Sequence, residues 1–342
     1  MEFTSTNKTP TLADIAKACN VSISTVSRVL NHTGKIKEET AQKILEVAQE
    51  LNYIPNEMAR NMVSKTNSNM IGFLVPNLLN PFFAELTENI SNILAQKGYV
   101  LNLCVVGNSA QRVSEAINIL INSRASGIIV SSMNYPECKK DFERARQYMS
   151  IVSIQGDVEN VDRIDTTDEQ GTYEIVNHLI ANGHRKIGFI GYNYHVSILT
   201  SRLRGYKHAL LDNDIEINPE YICDGEQTYD SGYQMTLSLL KLKDRPTALH
   251  CFNEFTAYAA YDAIRDLGLS VPKDVSITGF DNDFISRIMY PQLTTIDTQN
   301  EMMAKLAMNM LFDRIENNFD GEPKQIFINH SLIIRNSVKK IN

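Results

Sequence analysis

The chain has 342 residues, enough for two or three domains, with 43% hydrophobic residues and a formal net charge of −7. It contains no run of 18 or more apolar residues, so no membrane-spanning helix is expected. The opening MEFTSTNKTP lacks the basic start and apolar core of a secretory signal. The five cysteines (Cys19, Cys104, Cys138, Cys223 and Cys251) never form a CxxC, so neither a disulfide framework nor a metal site is indicated and a cytoplasmic setting is expected.

Charge alone points to no partner. Residues 1–65 carry eight Lys/Arg against seven Asp/Glu, which leaves +1 there and −8 in the remainder. The pattern is more informative. In TLADIAKACNVSISTVSRVLN, Thr11 is placed to cap a helix over Leu12 to Ala18, with Leu12, Ile15 and Ala16 on one face. Asn20 suits the left-handed residue that ends a helix. Ser22 then caps a second helix running to about Leu30, with Val26, Val29 and Leu30 as its inner stripe. Ser24, Ser27, Arg28 and Asn31 lie opposite, with Ile23 and Thr25 near the exposed start. Two short helices joined by a tight turn read as a helix-turn-helix, whose second helix enters the major groove by its N-terminal end. A plain helical hairpin with a hydroxyl-rich surface fits the same spacing. Ser and Thr are poor helix fillers, however, and four crowd this segment.

A third helix is predicted over Lys37 to Leu51, with Ala41, Ile44, Leu45, Ala48 and Leu51 facing inward. Pro55 stops it. A short helix over Glu57 to Val63, capped by Asn56, is too brief to stand alone in water. It reads either as a flexible tether or as a helix that folds against its twin on DNA, with Met62 as a minor-groove wedge.

From Ile71 onward, apolar strands alternate with amphipathic helices, which predicts parallel sheets. Strands are expected at Met70–Val75, Val100–Val105, Gly127–Val130, Ile151–Ile154, Lys186–Ile190, Ala248–Phe252, Val275–Phe280 and Leu293–Asp297. The fold class is therefore α/β: a three-helix headpiece and a hinge helix, then two doubly wound parallel-sheet subdomains. The expected divisions are 1–55 for the headpiece, 56–69 for the hinge helix and linker, and 70–342 for the ligand and dimerisation domain. Within the last, one subdomain takes about 70–160 plus 298–325, the other 161–297 plus 326–342. Ligands of open parallel sheets sit beyond the carboxyl ends of the strands, which here means a cleft between the two lobes.

The segments TLADIAKACNVSISTVSRVLN, LNYIPNEMARNM, IGFLVPNLLNPFFAEL, GHRKIGFIG, RLRGYKHAL, GLSVPKDVSITGFDN and PQLTTID occur in the order seen in the lac repressor family of bacterial transcription regulators. The chain resembles that family from about Thr11 to Arg335. The resemblance implies a homodimer on a pseudo-palindromic double-stranded operator, a folding hinge helix, and an effector domain like the periplasmic sugar-binding proteins. It places Ile23 and Ser24 at base-reading positions and Arg28 against guanine. Thr11, Ser22, Thr25, Ser27, Asn31 and Tyr53 fall at phosphate-contacting or positioning sites. Asn56, Ala59 and Met62 fall on the hinge, with Met62 where most members carry a wedging leucine. Arg202, Asp281 and Phe83 match an effector-contacting arginine, a carboxylate and an aromatic wall, and Asn253 and Gln227 match pocket-lining positions. Such a set suits a sugar or sugar phosphate, and would also suit a nucleobase.

Val196 and Ile198 are apolar where purine-responsive members carry polar contacts, FNEF has Glu where Asp is usual, and Thr167 stands near a family aspartate. An alternative within the same class is a global catabolite regulator whose corepressor is a phosphorylated carrier protein; another is a purine- or nucleoside-responsive repressor. No GxGxxG, GxxxxGK[ST] or GxSxG is present, so neither an enzyme nor a cofactor is indicated. A secreted sugar carrier is excluded by the helix-turn-helix, and no membrane partner is expected. No leucine-heptad tail follows SLIIRNSVKKIN, so a dimer is the default.

Overall fold

The computed structural model describes residues 10–31, 33–53, 68–132, 135–192, 197–226, 228–316 and 321–341. The chain divides into two compact units, Met1–Thr66 and Asn67–Asn342.

The first unit holds α1 (Leu12–Cys19), α2 (Ile23–Leu30) and α3 (Glu38–Glu50). Thr11 and Asp14 form a reciprocal capping box at the start of α1, and Asn20 closes it at φ 56°. Ser22 caps α2 by accepting from the Thr25 amide at 3.1 Å. Ile15, Ala16, Cys19, Val26, Val29, Ile44 and Ala48 make the core, with Val47 and Tyr53 packed against it. The inner face of α3 therefore runs through Ala41, Ile44, Val47 and Ala48. Leu45 (44% exposed) and Leu51 (37% exposed) do not belong to it, contrary to the expected stripe. Leu45 is one position off the 3.6-residue row that Ile44 and Ala48 define; Leu51 falls on that row but is the C-cap residue, past the last turn of the helix.

The second unit contains two sheets. The first has the order β11-β5-β4-β3-β1-β2 and is parallel throughout: β1 (Ser68–Val75), β2 (Val100–Val105), β3 (Ala125–Ser131), β4 (Ser150–Ile154), β5 (Asp162–Thr166) and β11 (Gln325–Ile328). The helices α4 (Pro81–Gln96) and α12 (Asn300–Glu316) pack on one face through Leu86, Ile90, Leu94, Ala307 and Leu311. The opposite face is covered by α5 (Ala110–Asn122) and α6 (Lys139–Ala145). The second sheet, β7-β6-β8-β9, is also parallel: β6 (Ile187–Tyr192), β7 (Ile222–Asp224), β8 (Ala248–Cys251) and β9 (Ser276–Thr278). On one face lie α7 (Asp168–Ala181) and α8 (Ser197–Leu211); on the other lie α9 (Tyr229–Leu240) and α10 (Glu254–Asp266). The short α11 (Phe284–Ile288) and an antiparallel pair, β10 (Thr295–Asp297) with β12 (Ser331–Ile333), complete this lobe. The helices α7 and α8 cross so closely that a Cβ at Gly205 would lie 2.1 Å from the Glu169 carbonyl oxygen, so only glycine fits there.

The eight expected strands are present, and four more were not foreseen: β5, β7, β11 and β12. DRIDT lacks the apolar run by which the other strands were recognised, since two of its five residues are aspartates. Those carboxylates are held by tertiary partners: Asp162 by Arg314 in a two-pronged pair at 2.7 and 2.8 Å, and Asp165 by Gln325 at 2.7 Å. With β5 and the whole of β11 in the first sheet, the lobes part near residues 167 and 329, beyond the expected 160/161 and 325/326. The chain thus passes between lobes three times, after β5, after β10 and after β11.

Candidate functional site

In the headpiece, the residues expected to read DNA share the exposed side of α2. Ile23 is 52% exposed, an unusual surface for an isoleucine at a helix start, and Ser22, Ser24 and Arg28 are exposed beside it. The Ser22 hydroxyl lies 2.7 Å from that of Ser24 and 2.8 Å from that of Thr25. Thr25, Ser27 and Asn31 are half-buried, and the Asn31 amide donates to Ser27 Oγ at 3.3 Å. Thr11 is exposed at its cap, whereas Tyr53 leans on the core. Asn56, Ala59 and Met62 lie outside the described residues, as does the expected helix over Glu57 to Val63.

In the second unit, each sheet has a switch point where the strand order reverses, at β1/β3 and at β6/β8. The first is chemically neutral. Asn80 caps α4, Gln155 ends β4 at φ 50°, and Ser131 ends β3, fully buried, its hydroxyl without a partner among the described residues. The second is charged. Arg202 on α8 is 2% exposed and is held from three sides. Its Nη1 donates to the Phe252 carbonyl at 2.5 Å, and its Nη2 lies 3.5 Å from Asp168 and 3.4 Å from Asp281. The guanidinium sits 3.7 Å from the centre of the Phe280 ring and 4.7 Å from that of Phe252. Asp281 follows β9 and carries φ 118°, a strained conformation for a non-glycine residue at a pocket wall. Burial pushes its carboxyl up to about 7; Arg202 opposes this, and Asp168 and Asp283 add to it. Asp168 is likewise raised by burial against the pull of Arg202.

Two of the expected cleft residues have other commitments. Phe83 belongs to the apolar core of the first lobe, edge-on to Phe82 at 5.2 Å, rather than forming an open wall. Asn253 caps α10, its Oδ1 accepting from the Thr256 amide at 2.9 Å and hydroxyl at 2.7 Å. Gln227 lies outside the described residues. Sequence reasoning missed Asp168, which is 34 positions from Arg202, and Glu254, a fully buried carboxylate that accepts from the Asn282 and Asp283 amides and the Thr295 hydroxyl. The unusual Glu in FNEF was the available signal for the latter: its extra methylene lets it reach the turn after β9. Between the lobes, one space of about 530 Å³ is lined by Gln155, Asp165, Asp168, Ser201 and Arg204, and another of about 540 Å³ by Glu85, Asp281, Arg287 and Asp297. Glu85 on α4 accepts from the Phe284 amide, joining the lobes directly.

A major-groove reading unit followed by a two-lobed domain with a polar cleft defines a ligand-responsive DNA-binding protein. Residues 11–56 match the bacterial regulatory proteins of the lacI family, and residues 176–338 match a periplasmic binding protein-like domain. The HTH-type transcriptional repressor PurR of Mannheimia succiniciproducens is 34% identical over 97% of this chain and 99% of its own length. The lac repressor dimer bound to operator and the anti-inducer ONPF is 27% identical, with a TM-score of 0.81 over 97% of this chain and all of that one. A lacI-family regulator from Enterococcus faecium with bound ribose is 25% identical, with a TM-score of 0.71 over 80% of this chain and all of that one. This chain belongs to the lacI family and is a DNA-binding transcriptional regulator.

Proposed function

We propose that the protein is a cytoplasmic repressor that grips a pseudo-palindromic operator as a homodimer and changes its grip when a small molecule of the sugar class fills the interlobe cleft. The observation that carries this is the exposed α2 face, with Ile23, Ser24 and Arg28 presented together, in the same chain as a ligand-type cleft. Ile23 and Ser24 meet base edges, and Arg28 holds guanine O6 and N7. Ser22, Thr25, Ser27, Asn31, Tyr53 and Thr11 set register on phosphates. Asn56, Ala59 and Met62 act at the minor groove between the two copies. In the cleft, Asp281, Arg202 and Gln227 meet the effector, with Asn253 and Phe83 supporting the site from a helix cap and from the first lobe's core rather than as open walls. The second lobe also leaves Phe284 (58%), Ile288 (62%) and Tyr290 (92%) exposed within one short stretch, apolar surface that a second copy would cover.

A purine base is the second reading. It is favoured by full-length relatives 31–34% identical that are all named as PurR repressors. Fluorescence anisotropy on duplexes from the protein's own promoter neighbourhood, with and without a panel of sugars and purines, tests both. Binding that weakens steeply with salt, and that one ligand class shifts, is expected. Indifference to every duplex at low ionic strength would overturn the proposal. Linkage requires the reciprocal effect too: the operator must alter effector affinity by the same factor.

A further inference from the structure

An arginine in a ligand cleft is commonly read as a receptor for phosphate or carboxylate. Here its two terminal nitrogens are already engaged, while its Nε is buried without a partner among the described residues and out of reach of an entering ligand unless the side chain moves. Arg202 faces two carboxylates, Asp168 and Asp281, and gives Nη1 to a backbone carbonyl between two phenylalanine rings. All three charged side chains are 7% exposed or less, so water screens none of them. Further carboxylates stand behind Asp281: Glu254 and Asp283, 1% and 2% exposed. The cations that line the interlobe spaces, Arg163, Arg204, Arg287 and Lys305, are also engaged, as is Arg335 nearby. Arg163 is paired with Asp157 at 3.0 Å and Asp165 at 2.6 Å, Arg204 with Glu169 at 2.9 Å, and Lys305 with Glu301 at 2.6 Å. Arg287 donates to the Asn282 carbonyl at 3.0 Å, and Arg335 to the Asn282 side chain at 2.5 Å. At the first lobe's switch point stand Asn80, Ser131 and Gln155, which are neutral, and the carboxylates Glu85 and Asp165 of the same lobe also line these spaces.

We propose that the cleft selects an uncharged polar effector and rejects phosphate- and carboxylate-bearing ones, with Asp168 as the positioning residue that enforces this by holding Arg202. An anion would have to draw the guanidinium away from its two carboxylates and leave both buried and unpaired. A neutral polyol or nucleobase has no such conflict, since its hydroxyl or N–H groups donate to the carboxylates as they stand. Asp168 also ties this charge to the passage between lobes. It accepts from the Thr166 hydroxyl at 2.8 Å, and that hydroxyl accepts from the Gln155 amide at 2.8 Å. A buried polar chain thus runs from β4 of the first lobe through the crossing after β5 to Arg202 and Asp281 of the second. The inference rests on the cleft being the effector site, and it narrows the sugar and purine readings alike to their unphosphorylated forms.

The test uses the full-length protein and one probe that requires no knowledge of the effector. Inorganic phosphate is titrated against chloride at matched ionic strength, following Tm, for the wild type and for Asp168→Asn, which keeps the shape and removes the charge. The wild type should respond equally to both salts, and Asp168→Asn should gain a phosphate-dependent rise with at least tenfold tighter phosphate binding. Matched pairs are then compared by calorimetry: ribose with ribose 5-phosphate, and hypoxanthine with inosine 5′-monophosphate. The neutral member of whichever pair binds should win at least tenfold, and which pair binds separates polyol from base. Phosphate stabilising the wild type as strongly as the variant, or a phosphorylated member binding more tightly, would overturn the proposal. If Asp168→Asn does not fold, Asp281→Asn removes the other counter-charge and makes the same prediction. Operator affinity unmoved by every ligand would instead count against the effector reading, while the phosphate arm would still report the charge held at Arg202.

Discussion

The headpiece and the cleft handle polar groups in opposite ways. On α2 Arg28 is exposed and the short hydroxyls lie at or near the surface, bonded to one another or to a nearby amide and free to exchange those partners for DNA. In the cleft the polar groups are buried, charged and mutually committed before any ligand arrives. The difference follows from the partner. A duplex is large and highly charged, and it brings enough contacts to organise an exposed face. A small molecule offers few contacts, so the protein must be arranged in advance for it.

The contrast predicts that removing a charge is costly in the cleft and cheap in the headpiece. Arg202→Met strands two buried carboxylates, so a loss of about 3–5 kcal/mol in unfolding free energy is expected from denaturant titration. A loss below about 1 kcal/mol would show that the carboxylates were already protonated and would erase the contrast. Arg28→Ala should leave thermal stability unchanged while costing about 1–3 kcal/mol of specific operator affinity by anisotropy, with weaker discrimination at one base position.

Acid titration sharpens the picture inside the second lobe. His250 is fully buried, its Nδ1 3.0 Å from the Thr278 hydroxyl, and burial, then Arg202, holds it down to about 3. The unfolded chain takes up that proton near pH 6.5 and the folded chain does not until about pH 3. Its contribution to stability is therefore present above 6.5 and lost as pH falls. Asp281, raised to about 7 by burial, has the opposite sign: the folded state binds its proton first, and stability rises on acidification from about 7 toward the ordinary carboxylate range. The two slopes oppose each other in the wild type. Relative to His250→Gln, the wild type should lose about 1.4 kcal/mol per pH unit below 6.5. A difference between the two proteins that stays constant from pH 6.5 to 5 would mean His250 is already charged when folded. The smallest effect belongs to the headpiece: Ser22→Ala removes the α2 cap and should cost about 1 kcal/mol, visible as faster amide exchange along α2.

These regions also differed in how far they could be read in advance. The caps at Thr11 and Ser22, the left-handed Asn20 and the Val26/Val29 stripe each depend on residues within four positions of one another, so the helix-turn-helix was legible from its pattern. The eight apolar strands were legible for the same reason. The strand at Asp162 was not, because beyond the neighbouring Arg163 its aspartates are reconciled with a sheet by Arg314, Lys324 and Gln325, some 150 or more positions away. Phe83 and Asn253 were assigned to the cleft from motif position, and packing committed them to a core and to a helix cap.

The linear order of residues thus determined the elements, the parallel α/β class and the DNA-reading face, because short-range periodicity and capping decide those. Only the tertiary structure could decide the character of the cleft. Asp168 and Asp281 lie 34 and 79 positions from Arg202, and their charges act on one another strongly only once the folded lobe has closed water out around them.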